Sequence, residues 1–205
     1  MWRWLERALF LVAFICLGWF AYVSVEAHLY QELENQQLDE ILASGPETSG
    51  EVSPPETHTR VPGGVVGRIE IPRLGVSTIV RTGVDARTLQ LAVGHIPGTA
   101  LPGEPGNIGL AAHRDTFFRR LRDIRPHDAI RLVTADGTFA FRVQRTRIVW
   151  PKDTWVLNAT AEPTLTLVTC YPFTYVGSAP QRFIVHAVST TSVPPDEPPS
   201  ATARR

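Results

Sequence analysis

Seven short β-strand patterns between Val65 and Ser189 constrain the fold more than any other feature of the chain. Each is rich in β-branched and aromatic residues and is bounded by Gly, Pro, Asp or Asn. The patterns are Val65–Ile71, Val76–Val80, Ile108–Ala112, Ala129–Thr134, Thr138–Val149, Thr164–Thr169 and Arg182–Ser189. Asp136-Gly137 is a strong hairpin signal between two of them. Short helices are expected only at Asp85–Leu91 and Thr116–Arg122, so a closed or nearly closed β-barrel is favoured, because closure removes exposed sheet edges.

The N-terminal segment has a different character. Ala8–Val25 is an uncharged, mainly apolar stretch of 18 residues. At a rise of about 1.5 Å per residue, such a helix nearly crosses a hydrocarbon core of about 30 Å. Arg3 and Arg7 precede the stretch and acidic residues follow it, which predicts a cytoplasmic N-terminus and an extracytoplasmic remainder. A cleaved signal peptide is the alternative, but no convincing small-residue cleavage site follows Val25. We therefore predict a single-pass anchor in the cytoplasmic membrane.

Composition divides the chain into four predicted parts. Residues 1–27 form the cytoplasmic stub and the transmembrane anchor, and residues 28–63 form a helical stalk followed by a flexible Pro-rich linker. Residues 64–190 form the β-barrel domain, and residues 191–205 form a disordered Pro-rich tail. The stalk has good helix formers with sparsely spaced apolar residues, so we expect a largely solvated helix. The formal net charge is zero, and this balance gives no indication of nucleic-acid binding.

Cys170 is the candidate nucleophile. The only other cysteine, Cys16, lies inside the apolar stretch, so a disulfide between the two is not expected. Cys170 ends a strand pattern, Arg182 lies in the next one, and His113 follows the pattern Ile108–Ala112. A thiolate is the reactive form of cysteine, and a histidine is its usual partner in catalysis. Taken alone, however, a single cysteine is more often a small buried apolar residue.

The motifs around these residues favour the catalytic interpretation. They are Thr166–Cys170 (Thr-Leu-Val-Thr-Cys), Arg182 in Gln-Arg-Phe-Ile-Val, Gly106–Asp115 (Gly-Asn-Ile-Gly-Leu-Ala-Ala-His-Arg-Asp), and Gly94–Thr99 with Pro102–Glu104. This set resembles the sortase family of cysteine transpeptidases, and within it the class D and class E group. The resemblance covers Gly64 to Ser189. Ala112 departs from it, because relatives commonly carry glycine before the histidine.

The resemblance implies an eight-stranded barrel and a specific reaction. Cys170 would attack the threonine carbonyl of a sorting signal resembling Leu-Pro-any-Thr-Gly, and an amine of the cell envelope would resolve the thioacyl enzyme. His113 would transfer protons, and Arg182 would stabilise the oxyanion. The expected partners are secreted proteins that carry sorting signals, the amine acceptor and the cytoplasmic membrane.

Four further residues are assigned to substrate binding. His95 is expected at the rim of the substrate groove because Gly-His-x-Pro-Gly recurs in the family. Thr169, Tyr171 and Pro172 flank Cys170, at the start of a loop that should border the groove. No cofactor or metal is expected.

Several alternatives remain open from the sequence. Water in place of the amine would make the protein a thiol endopeptidase, and a catalytically idle barrel that binds extended peptides is a second possibility. The cysteine L,D-transpeptidases share the nucleophile type but approach it through Ser-x-Gly-Cys, whereas Val-Thr precedes Cys170 here. A zinc site would need His95, His113, Cys170 and His186 to meet by spatial coincidence.

Overall fold

The computed structural model describes residues 2–44 and 64–190. The predicted linker and the C-terminal tail lie outside these residues. The helices and strands, in chain order, are α1 Trp2–Ser44, β1 Val65–Ile71, β2 Val76–Thr82, α2 Ala86–Leu91, β3 Val93–His95, β4 Asn107–Ala111, β5 Ala129–Thr134, β6 Gly137–Val149, β7 Thr164–Tyr171 and β8 Gln181–Ser189. Three 3₁₀ turns, at Pro72–Leu74, Arg119–Asp123 and Thr154–Leu157, connect strands.

The eight strands form one closed barrel in the order β1-β2-β3-β4-β7-β8-β6-β5. Two neighbouring pairs, β2 with β3 and β4 with β7, are parallel, and the other pairs are antiparallel. Closure leaves no long unpaired edge, which confirms the predicted barrel. The parallel β4–β7 pair matters for function because it aligns the C-terminal ends of two strands at the same end of the barrel.

All seven predicted strands are present, with bounds that differ by at most two residues. The hairpin at Asp136-Gly137 is confirmed, since β5 and β6 pair from Thr134 opposite Gly137. The prediction missed β3, because three residues that include Gly94 carry almost no strand pattern. The helix α2 begins after Asp85, whose carboxylate accepts hydrogen bonds from the backbone N–H groups of Arg87 and Thr88.

The barrel interior is filled by one apolar cluster. Side chains alternate along each strand, so every second residue of β7 and β8 points inward. Leu165, Leu167, Val185 and Ala187 have no exposed surface and belong to this cluster, together with Phe118 from the segment after β4. The intervening residues of β7 and β8 therefore lie on the outer face of the sheet.

The stalk part of α1 packs against the barrel, contrary to the expectation of a solvated helix. Leu38 is buried against Ile79 and Ala92. The side chain of Gln31 donates from Nε2 to the carbonyl of Leu91 at 2.7 Å and accepts at Oε1 from the backbone N–H of Ile79 at 2.8 Å. The sparse apolar residues of this segment indicated a solvated helix. The interface was missed because polar side chains make most of its contacts.

Ion pairs extend the same interface at both ends. Near the apolar segment, Glu26 binds Arg87 of α2. Farther along the helix, Arg68 of β1 donates to Asp39 at 2.9 Å and to Asn35 at 3.3 Å. The helix therefore contacts β1, β2 and α2, and the barrel is held against the stalk.

Replacing Gln31 by Ala should destabilise the docked stalk, because it leaves the N–H of Ile79 and the carbonyl of Leu91 without their partner. We expect a loss of about 1–3 kcal/mol at this contact, seen as faster amide hydrogen exchange of Ile79 in the full-length protein. The matched control is Gln36→Ala, because Gln36 is exposed on the same helix. Equal protection of Ile79 in both variants would show that the stalk does not hold the barrel.

Candidate active site

Cys170 and Arg182 lie directly opposite each other on β7 and β8. The antiparallel register pairs these two residues, with Val168 opposite Ile184 as the preceding pair on the same face. Directly opposed residues of an antiparallel pair have Cβ atoms about 4.5–5.5 Å apart. Both side chains lie on the outer face of the sheet, and both are partly exposed. A thiol and a guanidinium therefore share one accessible position on the barrel.

His113 reaches the same place from the other side of β7. The parallel pair β4–β7 aligns Ala111 with Val168, and the backbone N–H of Ala112 extends it by donating to the carbonyl of Val168 at 3.2 Å. His113 lies two residues after Ala111, and Cys170 lies two residues after Val168. His113 is exposed. The three residues predicted for catalysis thus lie together at one end of β4, β7 and β8.

Thr169 connects the segments that carry the histidine and the cysteine. Its side chain is 2% exposed, and its hydroxyl donates to the carbonyl of Ala112 at 2.8 Å. The predicted contact of the Thr169 side chain with substrate is therefore corrected, because that side chain faces the interior. Ala112, the departure from the family pattern, places its methyl group in the core cluster rather than in the site.

His95 does not lie at the rim of a groove. It has no exposed surface, and its Nε2 is 2.9 Å from the carbonyl oxygen of Ala100 and 3.2 Å from the hydroxyl of Thr99. That hydroxyl also accepts from the backbone N–H of Gly109 at 3.0 Å. The loop between β3 and β4 covers His95, so its position is structural and the sequence prediction is corrected.

Tyr171 and Pro172 begin the loop that borders the site. Tyr171 stacks near Phe183, with ring centroids 6.3 Å apart, and Phe173 meets both rings edge-on. Tyr171, Pro172 and Phe173 are all partly exposed. Tyr171 and Phe183 alternate with Cys170 and Arg182 along their strands, so their rings lie on the opposite face of the sheet, where Phe173 and Phe183 pack against the core cluster.

Arg114 holds the far part of the same loop, a role that sequence reasoning missed. Its Nη2 donates to the carbonyls of Tyr175 at 2.6 Å and Gly177 at 2.9 Å, and its guanidinium lies 5.9 Å from the ring centroid of Tyr175. Because Arg114 follows His113 directly, one short segment supplies both a candidate proton-transfer group and the clamp on the neighbouring loop.

The loop of residues 150–163 forms a wall on the outer face. Asn107 at the start of β4 donates from Nδ2 to the carbonyls of Val156 at 3.1 Å and Asn158 at 3.3 Å. Thr166 supports this amide by donating to its Oδ1 at 2.8 Å. A buried pair of polar side chains therefore fixes the loop on the sheet. The signal in the sequence was an asparagine at the start of a strand that is otherwise free of polar side chains.

The electrostatic setting of Arg182 is defined by the backbone. Its Nη1 donates to the carbonyls of Gln181 at 2.9 Å and Ala179 at 3.1 Å, which fixes the guanidinium at the start of β8.

Within residues 2–44 and 64–190, no three His, Cys, Asp or Glu side chains lie close enough to share a metal ion. His95, His113, Cys170 and His186 therefore do not form such a group. The arrangement suits attack by a thiol beside an oxyanion-stabilising cation and a proton-transfer group.

Comparisons with known proteins agree with this geometry. The family model of the sortase domain matches residues 69–190. Sortase D of Bacillus subtilis (strain 168) is 39% identical over 126 residues, which are 61% of this chain and 64% of that relative. The chain therefore spans somewhat less than two thirds of that relative's length.

Solved structures show the same barrel. The Sortase D5 transpeptidase of Clostridium perfringens superposes with a TM-score of 0.62 at 26% identity, over 80% of this chain and 98% of that one. Sortase A of Corynebacterium diphtheriae gives 0.60 at 29% identity, over 67% and 66% of the two chains. The match to the first of these extends over nearly its whole chain.

Replacing Arg114 by Gln should loosen the loop of residues 172–180, because two hydrogen bonds from a charged donor are lost. We expect amide hydrogen exchange at residues 174–178 to accelerate by about 10-fold or more. Arg119→Gln is the matched control, since Arg119 is an exposed arginine of the same region. The clamp is disproved if the two variants exchange at the same rate in this loop.

Proposed function

The chain belongs to the sortase family, and from this premise we propose that it is a membrane-anchored transpeptidase that reads a sorting signal resembling Leu-Pro-any-Thr-Gly. It cleaves that signal after the threonine and joins the threonine carbonyl to an amine of the cell envelope. The observation that carries the proposal is the cross-strand pair of Cys170 with Arg182, with His113 two residues beyond the end of the parallel neighbour β4.

The proposed reaction has two balanced steps. The thiolate of Cys170, whose proton is held by His113, attacks the threonine carbonyl carbon, and the carbonyl electron pair moves to the oxygen, where Arg182 stabilises the negative charge. His113 gives a proton to the departing amine as the C–N bond breaks, which leaves a thioester. The incoming amine then attacks the thioester and loses a proton to His113, and the thiolate of Cys170 is released.

The walls of the site suit an extended, partly apolar peptide. Tyr171, Pro172 and Phe173 directly follow Cys170 and are partly exposed, and the pinned loop of residues 150–163 lies on the outer face of the sheet, which is the face of Cys170. Shaped apolar walls with a few polar groups are typical of binding sites. We assign substrate contacts to Tyr171 and Pro172.

The proposed membrane anchor is the first half of α1. One helix is long and apolar enough to span a membrane, and none of its apolar window is buried within the described residues. The helix continues without interruption into the stalk that packs on the barrel. An uncleaved anchor explains this continuity, whereas cleavage after Val25 would detach the helix just before its first contact with the barrel. The cytoplasmic N-terminus follows from Arg3 and Arg7.

Covalent trapping tests the function directly. The full-length protein in detergent is incubated with a Leu-Pro-x-Thr-Gly peptide, and mass spectrometry should find Cys170 carrying the peptide up to its threonine. Cys170→Ala should give no adduct. Cys16→Ala is the matched control and should give the full adduct, because Cys16 lies in the apolar segment.

The acceptor is identified by the second half of the experiment. A product that forms only when an amine is added supports transpeptidation, whereas an adduct that decays only to the free acid supports the endopeptidase alternative. If a panel of such peptides leaves no mass on Cys170, the enzyme proposal fails and a peptide-binding barrel remains.

Replacing Arg182 by Lys should lower kcat/KM by about 100-fold or more, because an ammonium cannot reproduce the fixed fork of a guanidinium at an oxyanion. The measurement is the steady-state rate with the peptide that forms the adduct. Arg142→Lys is the control, since Arg142 is exposed near the opposite end of β8. A rate for Arg182→Lys within twofold of the parent protein would argue against an oxyanion role.

A further inference from the structure

Three exposed arginines recur at every third position in the segment between β4 and β5. They are Arg119, Arg122 and Arg125, and together they are called the arginine stripe. Residues Arg119–Asp123 form a 3₁₀ turn, in which side chains at positions i and i+3 lie above one another, at a rise of about 2.0 Å per residue. Arg119 and Arg122 therefore share one face of the turn, about 6 Å apart along its axis. Arg125 continues the same period beyond the end of the turn.

The buried residues of the same segment keep the stripe on the outside. Phe118 and Leu121 have no exposed surface, Ile124 is 9% exposed, and all three belong to the core cluster. The buried and the charged sets thus alternate with a period of three. The turn cannot rotate about its axis without bringing an arginine into the apolar cluster, where an unpaired charge is costly.

Two further arginines fix the backbone that carries the stripe. Arg73, in the turn after β1, binds the carboxylate of Asp128 and donates from Nη2 to the carbonyl of Asp123 at 2.7 Å. Arg120 donates from Nη1 to the carbonyl of Leu74 at 2.7 Å. The segment is therefore preorganised, so that less entropy is lost when a partner binds to it.

The charge of the stripe is hardly compensated. Residues 64–190 carry fifteen Lys and Arg against nine Asp and Glu, a formal net charge of +6 that the zero balance of the whole chain conceals. Among the described residues, Arg119 and Arg125 take part in no ion pair, and Arg122 pairs only with its exposed neighbour Asp123 at 3.3 Å. Exposed pairs of this kind contribute little. The stripe is thus available to an anionic partner.

The stripe lies at the catalytic end of the barrel, which points away from the proposed membrane. Its segment joins the end of β4 to the start of β5, and the strand directions place both at the same end as Cys170. The stalk meets α2 first at Arg87 and then, farther from the apolar segment, at Leu91. Since α2 runs towards the start of β3, which pairs antiparallel with β4 and so starts at the catalytic end, that end faces away from the bilayer.

We propose that the arginine stripe binds a linear, phosphate-bearing polymer of the cell envelope. A guanidinium donates two parallel hydrogen bonds to a phosphate group and stays charged at any physiological pH. A row of such groups suits a polymer whose charges repeat along its backbone, because each phosphate that is neutralised releases counterions. Membrane headgroups fit less well since the stripe points away from the bilayer, and nucleic acid is absent from the proposed location. The proposal rests on the extracytoplasmic location proposed above.

The test is the binding of fluorescently labelled linear polyphosphate to the full-length protein in a non-ionic detergent, at several salt concentrations. Arg119→Gln/Arg122→Gln/Arg125→Gln should bind about 10-fold or more weaker than the parent protein at about 150 mM salt. The slope of log K against log salt concentration should fall by about three, because each arginine neutralises about one phosphate. Arg119→Lys/Arg122→Lys/Arg125→Lys keeps the three charges and should retain most of the slope.

A matched control removes three exposed cations from outside the segment. Arg131→Gln/Arg142→Gln/Lys152→Gln lowers the net charge by the same amount and should bind polyphosphate within about twofold of the parent, since distant charges are largely screened at this salt concentration. Equal losses in the two triple glutamine variants would overturn the proposal, because the polymer would then respond to the overall charge. Absence of polyphosphate binding to the parent protein would overturn it as well.

Two further measurements distinguish the chemistry and the source of the anion. Polyglutamate replaces phosphate by carboxylate, and binding as tight as that of polyphosphate would contradict a phosphate polymer. Amide hydrogen exchange at residues 119–125 should be the same in nanodiscs of neutral phosphatidylcholine and of anionic phosphatidylglycerol. Slower exchange in the anionic discs would show that the stripe docks on lipid instead. None of these measurements needs a sorting-signal peptide or turnover, so their failure is distinguishable from failure of the proposed function.

Discussion

The hydrogen-bond register of β7 with its two neighbours is the constraint on which the site depends. The antiparallel ladder to β8 places Cys170 opposite Arg182, and the parallel ladder to β4 brings His113 to the same level. Side chains alternate along a strand, so a slip of one residue would turn Cys170 into the barrel interior and Thr169 out of it. Such a slip is resisted because Leu165 and Leu167 would then leave the core for solvent. The same apolar packing that stabilises the barrel therefore fixes the geometry of the reactive groups.

The loops around the site are held by polar side chains rather than by apolar packing. Arg114 binds the loop after β7, Asn107 with Thr166 binds the loop before it, and Thr99 fastens the loop that covers His95. Arg114, Asn107 and Thr99 satisfy backbone atoms, and Thr166 holds the amide of Asn107 in place. A backbone group left without a partner costs free energy. The walls of the groove are thus determined by hydrogen bonds to a few side chains, whereas the floor is determined by strand pairing.

The strands and the hairpin could be predicted from sequence because period-two patterns and turn residues are local signals. The strand β3 escaped because it is too short to show a period. The 3₁₀ turns at Pro72–Leu74 and Thr154–Leu157 escaped because their i to i+3 bonding has no strong sequence pattern, whereas the short helix predicted at Thr116–Arg122 overlaps the turn at Arg119–Asp123. For the site, residue types and motif resemblance indicated Cys170, His113 and Arg182. They could not show that His95 is sealed under a loop or that Thr169 faces inward, since burial depends on contacts between segments distant in sequence. The docking of the stalk was missed for the same reason.

The docked stalk also determines where the barrel can work. Its first contact with the barrel, between Glu26 and Arg87, comes one residue after the apolar segment, and contacts continue to Asp39, about 20 Å farther along the helix. Under the proposed anchoring, the catalytic domain does not move freely on a flexible tether. It stays close to the membrane surface. Partners confined to that surface meet it by lateral diffusion, at an effective concentration far above that of molecules free in the surrounding fluid. Substrates that are themselves still embedded in the membrane would gain most from this geometry.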